Sequence, residues 1–220
     1  MGWLTTVQDN TVPSLFASGS SAGPQPRIGA LLLPLLLGAC GQQGESGVAA
    51  AGACAAGENL IRDARFTTLD APRFQRAWLS SQHSSDVAFE YQAEQGVLTI
   101  TRTGDEPWFV LGQDFEGGQW GGKRVRFSAE LKMELTPPEP GHGFRKGGGL
   151  LLRARQGGRI VFNSEFEHDP HMGRHDWQRV SVTGAIPPRA DSLRAGFQHQ
   201  AGGRLQARNP ELTIIAPGCP

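Results

Sequence analysis

The sequence predicts an all-β domain over residues 58–216, folded as a two-sheet antiparallel β-sandwich. Three observations carry this. Apolar and polar residues alternate with period two in segment after segment, turn formers separate those segments, and no stretch sustains a helical period. The 30 glycines and 15 prolines supply the many turns that short strands need.

The elements follow in order. Val87, Phe89 and Tyr91 alternate, and Glu94-Gln95-Gly96 turns the chain into a strand over Val97–Ile100. The clearest strand spans Lys123–Met133: Val125, Phe127, Ala129 and Leu131 point one way, and Arg124, Arg126, Ser128, Glu130 and Lys132 the other. Leu150–Ala154 meets a Gln156-Gly157-Gly158 turn and returns as Arg159–Phe162. Further strands are expected over Gln178–Thr183, Ser192–Gln200 and Leu205–Ile215, with Pro187-Pro188 as punctuation. Short strands at this spacing indicate a sandwich or jelly roll.

The segment before the domain has a different character. Arg27 is followed by an apolar run over 28–37 and then by Gly38-Ala39-Cys40. A basic residue, a short apolar run and small residues before a cleavage point make a secretory signal. The run is well short of the roughly 20 residues that span a bilayer, and Pro34 disfavours a continuous helix. Leu37-Gly38-Ala39-Cys40 resembles the lipobox of bacterial lipoproteins. That resemblance implies cleavage before Cys40, a diacylglycerol thioether on its sulfur and acylation of its new amino group. Residues 1–39 are thus read as signal peptide, with 1–26 an N-terminal extension from an upstream start codon. Residues 40–57, rich in Gly, Ala, Gln and Ser, are read as a lipidated flexible tether, and 217–220 as a tail. Gly41 in place of Asp after the cysteine implies, by the same resemblance, an outer-membrane location facing the periplasm or the surface. Gly19-Ser20-Ser21-Ala22-Gly23 matches the G-x-S-x-G spacing but lacks the strand and helix that a nucleophile elbow requires.

Composition narrows the partners. With 21 basic and 21 acidic residues the formal charge is zero, so the dense positive footprint needed for nucleic acid is missing. The partners expected are a membrane, through the lipid, and a glycan or an envelope protein.

Within the domain, Asn59-Leu60-Ile61…Phe66 with Trp78, the run Trp120–Lys132, and Asp176-Trp177-Gln178-Arg179-Val180 with Ile186-Pro187 and Leu193–Phe197 resemble carbohydrate-binding-module jelly rolls. The resemblance runs in order through nearly all of 58–216 and implies a galactose-binding-like fold. It also implies that the first and last strands lie together, so Cys54 and Cys219 are expected to pair in an oxidising compartment. The stretch after Gly202-Gly203 departs from the family: Arg208 and Asn209 stand where paired acids are usual. Calcium needs several oxygen ligands carrying negative charge, so no metal or cofactor is assigned.

Candidate sites were weighed on chemistry. His168, His171 and His175 carry donors suited to zinc, but Pro170 and Gly173 predict a solvated loop instead of a helix that aligns ligands. Trp78 and Trp177 are expected in the core. Trp108, after Pro107, and Trp120, between glycine pairs, are the expected exposed rings, which present flat apolar faces to sugar C–H groups. Arg153, Arg155, Asn163 and Glu165 fall on neighbouring strands and form a polar row able to bind hydroxyls. Glu165 and Glu167 lie on one strand without a distant partner, which does not fit glycoside hydrolysis. No nucleotide-binding motif or catalytic triad is present. The expected function is a non-catalytic, lipid-anchored binding module for glycan. The alternative is an envelope lipoprotein that docks a partner protein with the same fold.

Overall fold

Ten strands form two five-stranded antiparallel sheets in the computed structural model, which describes residues 57–137 and 147–216. The first sheet has β1 (Leu79–Gln82), β4 (Phe109–Glu116), β9 (Ser192–His199), β6 (Gly148–Gln156) and β7 (Arg159–Glu165), in that spatial order. The second runs β2 (Phe89–Glu94), β3 (Val97–Arg102), β10 (Gly202–Ile215), β5 (Arg124–Thr136) and β8 (Gly173–Ala185). The all-β sandwich expected from the sequence is the observed fold. Cys40, Cys54, Cys219, the leader and the tether up to residue 56 lie outside the described residues.

The core forms where the inward sets of the two sheets meet. Val125, Phe127, Ala129, Leu131, Met133 and Leu135 on β5 face Leu150, Leu152 and Ala154 on β6, and Leu193, Ala195 and Phe197 on β9. An aromatic cluster closes one part of it. Trp78, 1% exposed, stacks on Phe197 with ring centroids 5.6 Å apart, and Phe66 contacts the two at 5.0 and 6.0 Å. Each such pair contributes about 1 kcal/mol beyond the area it buries. The Trp78 indole N–H donates to the Asp63 carbonyl at 3.0 Å, so its polar atom is satisfied.

Two hairpins show why the turns were readable. In Glu94-Gln95-Gly96-Val97 and Gln156-Gly157-Gly158-Arg159, both central residues have positive φ while the flanking residues pair directly. This is the turn whose twist matches that of the strands, and it favours glycine.

The structure corrects several expectations. Val87 is 78% exposed and precedes β2, which begins at Phe89. Strands β1 and β4 were not anticipated, and β8 extends five residues before Gln178 to include His175. Trp177 is not in the core: it is half-buried on β8, with the Arg208 guanidinium 4.3 Å above its ring. His168 is buried instead of solvated. Its Nε2 accepts the Leu150 N–H at 2.9 Å, so Nδ1 carries the proton and donates to the Pro170 carbonyl at 3.0 Å. It fastens the segment after β7 to β6.

Candidate functional site

The face of the first sheet turned away from the core carries three rows of residues, set by strand register. One row runs Ser81, Val110, Gln198, Gly149. The next runs Gly112, Gly196, Leu151, Glu165, and the third runs Asp114, Arg194, Arg153, Asn163. Because side chains alternate faces along a strand, these residues share one surface while their neighbours enter the core. Two adjacent glycines in the middle row leave the backbone bare between two polar rows. A Cβ on Gly112 would meet Arg194 Nε at 3.0 Å, so that glycine gives the Arg194 side chain its path across the sheet.

This face holds a hollow of about 410 Å³. Ser81 of β1 and Val110 of β4 line one part, Gln198 and Gln200 the end of β9, and Arg153, Arg155, Glu165 and Arg194 the opposite part, with Trp108 just before β4. A smaller recess adjoins it, shared by the same three arginines with Asp114, Glu116 and Ser192.

The polar groups are tied into a network that leaves some atoms unused. Arg153 Nη2 donates to Glu165 Oε1 at 2.8 Å, and its Nε donates to Asn163 Oδ1, also at 2.8 Å. Asn163 Nδ2 donates to the same Glu165 oxygen at 2.9 Å, and Gln198 Nε2 to the other at 3.3 Å. Arg194 Nε lies 3.5 Å from Asp114, outside hydrogen-bonding geometry. Four buried atoms around the hollow have no hydrogen-bond partner: Arg155 Nε, Arg194 Nε, Gln198 Oε1 and Gln200 Oε1. Gln198 and Gln200 are 3% and 5% exposed. Buried polar atoms are nearly always paired, since an orphan costs about 1–3 kcal/mol. These four atoms belong to residues that line the same hollow.

Burial pushes the Arg194 guanidinium below its ordinary value; Asp114 pulls it up, and the charges of Arg155 and Arg153 push it down again. Three guanidinium groups therefore crowd one site. Arg155 has no carboxylate within 4 Å among the described residues, whereas Arg153 and Arg194 each have one.

Of the residues singled out in the sequence, Trp108, Arg153, Arg155 and Glu165 line the hollow, and Asn163 buttresses it through Arg153 and Glu165. Trp120 does not join them. It is 4% exposed in a 3-10 turn (Gly118–Trp120), packed edge-on against Phe115 at 5.5 Å, because the glycines around it fold the ring inward. Glu167 accepts from the Ser164 hydroxyl at 3.1 Å and does not face Glu165 across a cleft. Arg194, Gln198, Gln200 and Ser81 were missed, although the first three alternate with the recognised apolar residues of β9. The position of β9 beside β6 was the information lacking. At the proposed departure from calcium binding, Arg208 and Asn209 both bind Glu130, at 2.8 and 2.9 Å. No group of three metal-ligating side chains occurs among the described residues.

No family model matches the chain, and no curated protein matches it. Among solved structures, a CBM4 structure is 14% identical, covering 70% of this chain and 99% of its own, with a TM-score of 0.47. The CBM22-1 xylan-binding domain from Paenibacillus barcinonensis Xyn10C is 14% identical, covering 66% and 89%, with a TM-score of 0.42. The enzymatically active domain of bacteriophage CBA120 tailspike protein 4 is 13% identical over 63% of this chain, which spans only 19% of that protein, with a TM-score of 0.44.

Proposed function

We propose that this chain is a non-catalytic glycan-binding module, held at the cell envelope by lipid on Cys40, and that the hollow on the first sheet is its binding site. The observation that carries the reading is one concave surface whose lining combines arginine, glutamine and carboxylate side chains with an aromatic ring, Trp108. A sugar ring needs this combination: hydroxyls that exchange hydrogen bonds with amide and guanidinium groups, and C–H faces that rest on an indole. Arg153, Asn163 and Glu165 brace one another, so little side-chain ordering remains to be done on binding.

A flat apolar docking patch would favour the protein-interaction alternative. Of the exposed large apolar side chains among the described residues, Phe74 and Val87 lie outside the strands, Ile160 and Val161 on β7, and Ile214 on β10. The concave polar site is thus the stronger feature. The bridge between Cys54 and Cys219 belongs to the same proposal. Its support is that the Leu60 N–H donates to the Leu212 carbonyl at 2.9 Å, so the two ends of the domain run side by side.

The test is a glycan array probed with the full chain and with Trp108→Ala. At least one glycan class should be retained, and the substitution should weaken it about tenfold or more, the scale expected for loss of a stacking ring. An array with no retained glycan, or one on which the variant binds as well as the parent, rejects the reading.

A further inference from the structure

We propose that the glycan taken by this hollow is acidic, a polymer of uronic acid residues whose carboxylate is bound by Arg155 with Arg194 beside it. This rests on the glycan-binding reading and adds the charge of the ligand to it.

Across the sandwich, several cations of the second sheet each lie within 4 Å of a carboxylate. Arg204 and Arg174 flank Glu134, Arg208 meets Glu130, Arg179 meets Glu211, and Lys132 meets Asp176. The hollow on the first sheet is built differently. Among the described residues, three arginines line it against a single carboxylate, Glu165, and that carboxylate already receives hydrogen bonds from Arg153, Asn163 and Gln198. Asp114 and Glu116 lie in the adjoining recess, where Asp114 is 3.5 Å from Arg194 and neither is within 4 Å of Arg155. The cationic excess is therefore centred on Arg155.

Two further observations favour an anionic ligand. Arg155 Nε and Arg194 Nε are both buried and both without a hydrogen-bond partner. Burial is the main cause that lowers Arg194, Asp114 opposes it, and the like charges of Arg155 and Arg153 add to the lowering. An anion seated between Arg155 and Arg194 removes both penalties together. A neutral hydroxyl answers only the hydrogen bonds. Arginine presents its N–H groups as a planar fork that matches a carboxylate in two-point fashion. The amide oxygens of Gln198 and Gln200, also unpartnered, accept from the hydroxyls of the same or the next sugar and make the site selective for a hydroxylated acid over a bare ion.

The experiment compares chemically matched ligands. The full chain in detergent is titrated calorimetrically with polygalacturonate, polymannuronate and polyguluronate, and with the methyl ester of each, which keeps the sugar and removes the charge. At least one acid should bind tenfold or more tightly than its ester, and Arg155→Gln should bring that ratio toward one. The acid-to-ester comparison on the parent chain needs no variant, so it holds even if Arg155→Gln folds poorly. Dextran sulfate serves as the charge control and should bind more weakly than the preferred polyuronate. Acid and ester bound equally, or neutral xylan preferred to every polyuronate, overturns the inference while leaving the glycan reading intact. Dextran sulfate bound as tightly as any polyuronate overturns it in favour of undirected charge attraction. Failure of every glycan, charged or neutral, overturns the underlying reading as well.

Discussion

His199 is the buried ionisable side chain with the most to lose in acid. The Ala201 N–H donates to its Nδ1 at 3.3 Å, which leaves Nε2 as the protonated nitrogen, donating to the Gly203 carbonyl at 3.2 Å. Protonating Nδ1 breaks the first contact and places a charge in the core. Burial pushes this imidazole down to about 4; the Gly203 carbonyl raises it and the Arg102 charge lowers it further. The unfolded chain then takes up a proton near pH 6.5 that the folded chain refuses until near pH 4. Stability is therefore complete above about 6.5 and falls as pH drops through that window, by about 3 kcal/mol. Urea unfolding at pH 7 and at pH 4.5 measures the drop, and His199→Gln should flatten it. An unchanged pH slope in the variant would clear His199 of the effect. Asp63 acts in the same direction at lower pH. Burial raises its carboxyl, but hydrogen bonds from the backbone and hydroxyls of Thr67 and Thr68 outweigh that and hold it below the ordinary range. The tryptophans show how uneven legibility is at this scale. Trp78 was expected in the core and is 1% exposed there. Trp120 and Trp177 were exchanged, because one ring's burial depends on how a glycine-flanked turn folds and the other's on an arginine from β10.

At the scale of elements, the middle of the first sheet depends on Gly112 and Gly196 lying side by side on β4 and β9. A Cβ at Gly196 would lie 2.6 Å from Gly112 Cα and run into the Leu111 carbonyl oxygen, both of them backbone atoms that move only if the strands separate. Gly196→Ala is expected to cost about 2–3 kcal/mol by overpacking. Gly118→Ala, where nothing lies within 4 Å of the added carbon, should stay within about 0.5 kcal/mol. Chemical denaturation of the two variants checks the pair, and equal midpoints would remove the claim of close approach. Strand β5 was readable almost residue for residue, since one face is apolar and the other polar or charged along its length. Strand β4 was not, because its first five residues are buried on both faces, including Gln113. Gln113 exchanges hydrogen bonds with the backbone of Arg62, a partner far away in the chain. Strand β1, four residues reading Leu-Ser-Ser-Gln, carries no alternation to detect.

For the whole molecule, the proposal joins a lipid at one end to a binding face on the sandwich. Mass spectrometry of the protein extracted from membranes under non-reducing conditions tests both covalent claims together. The N-terminal peptide should begin at Cys40 and carry a diacylglycerol and an acyl chain, and Cys54 should appear linked to Cys219. An unmodified N-terminus would remove the anchor, and two free thiols the bridge. A single acyl chain binds membranes only marginally, so the multiple chains implied at Cys40 are what would make the attachment durable. What the sequence determined by itself is what depends on neighbours along the chain: alternation of side chains, glycine turns, and the short apolar run before a cysteine. Only the tertiary structure decided how the hollow is assembled. Its residues come from β1, β4, β6, β7 and β9 and the chain beside them, and they meet because the sheet order is β1-β4-β9-β6-β7. Strand order is chosen by how two inward apolar sets pack into one core, a long-range balance that no local pattern encodes. Arg153 and Arg194 are neighbours for that reason only.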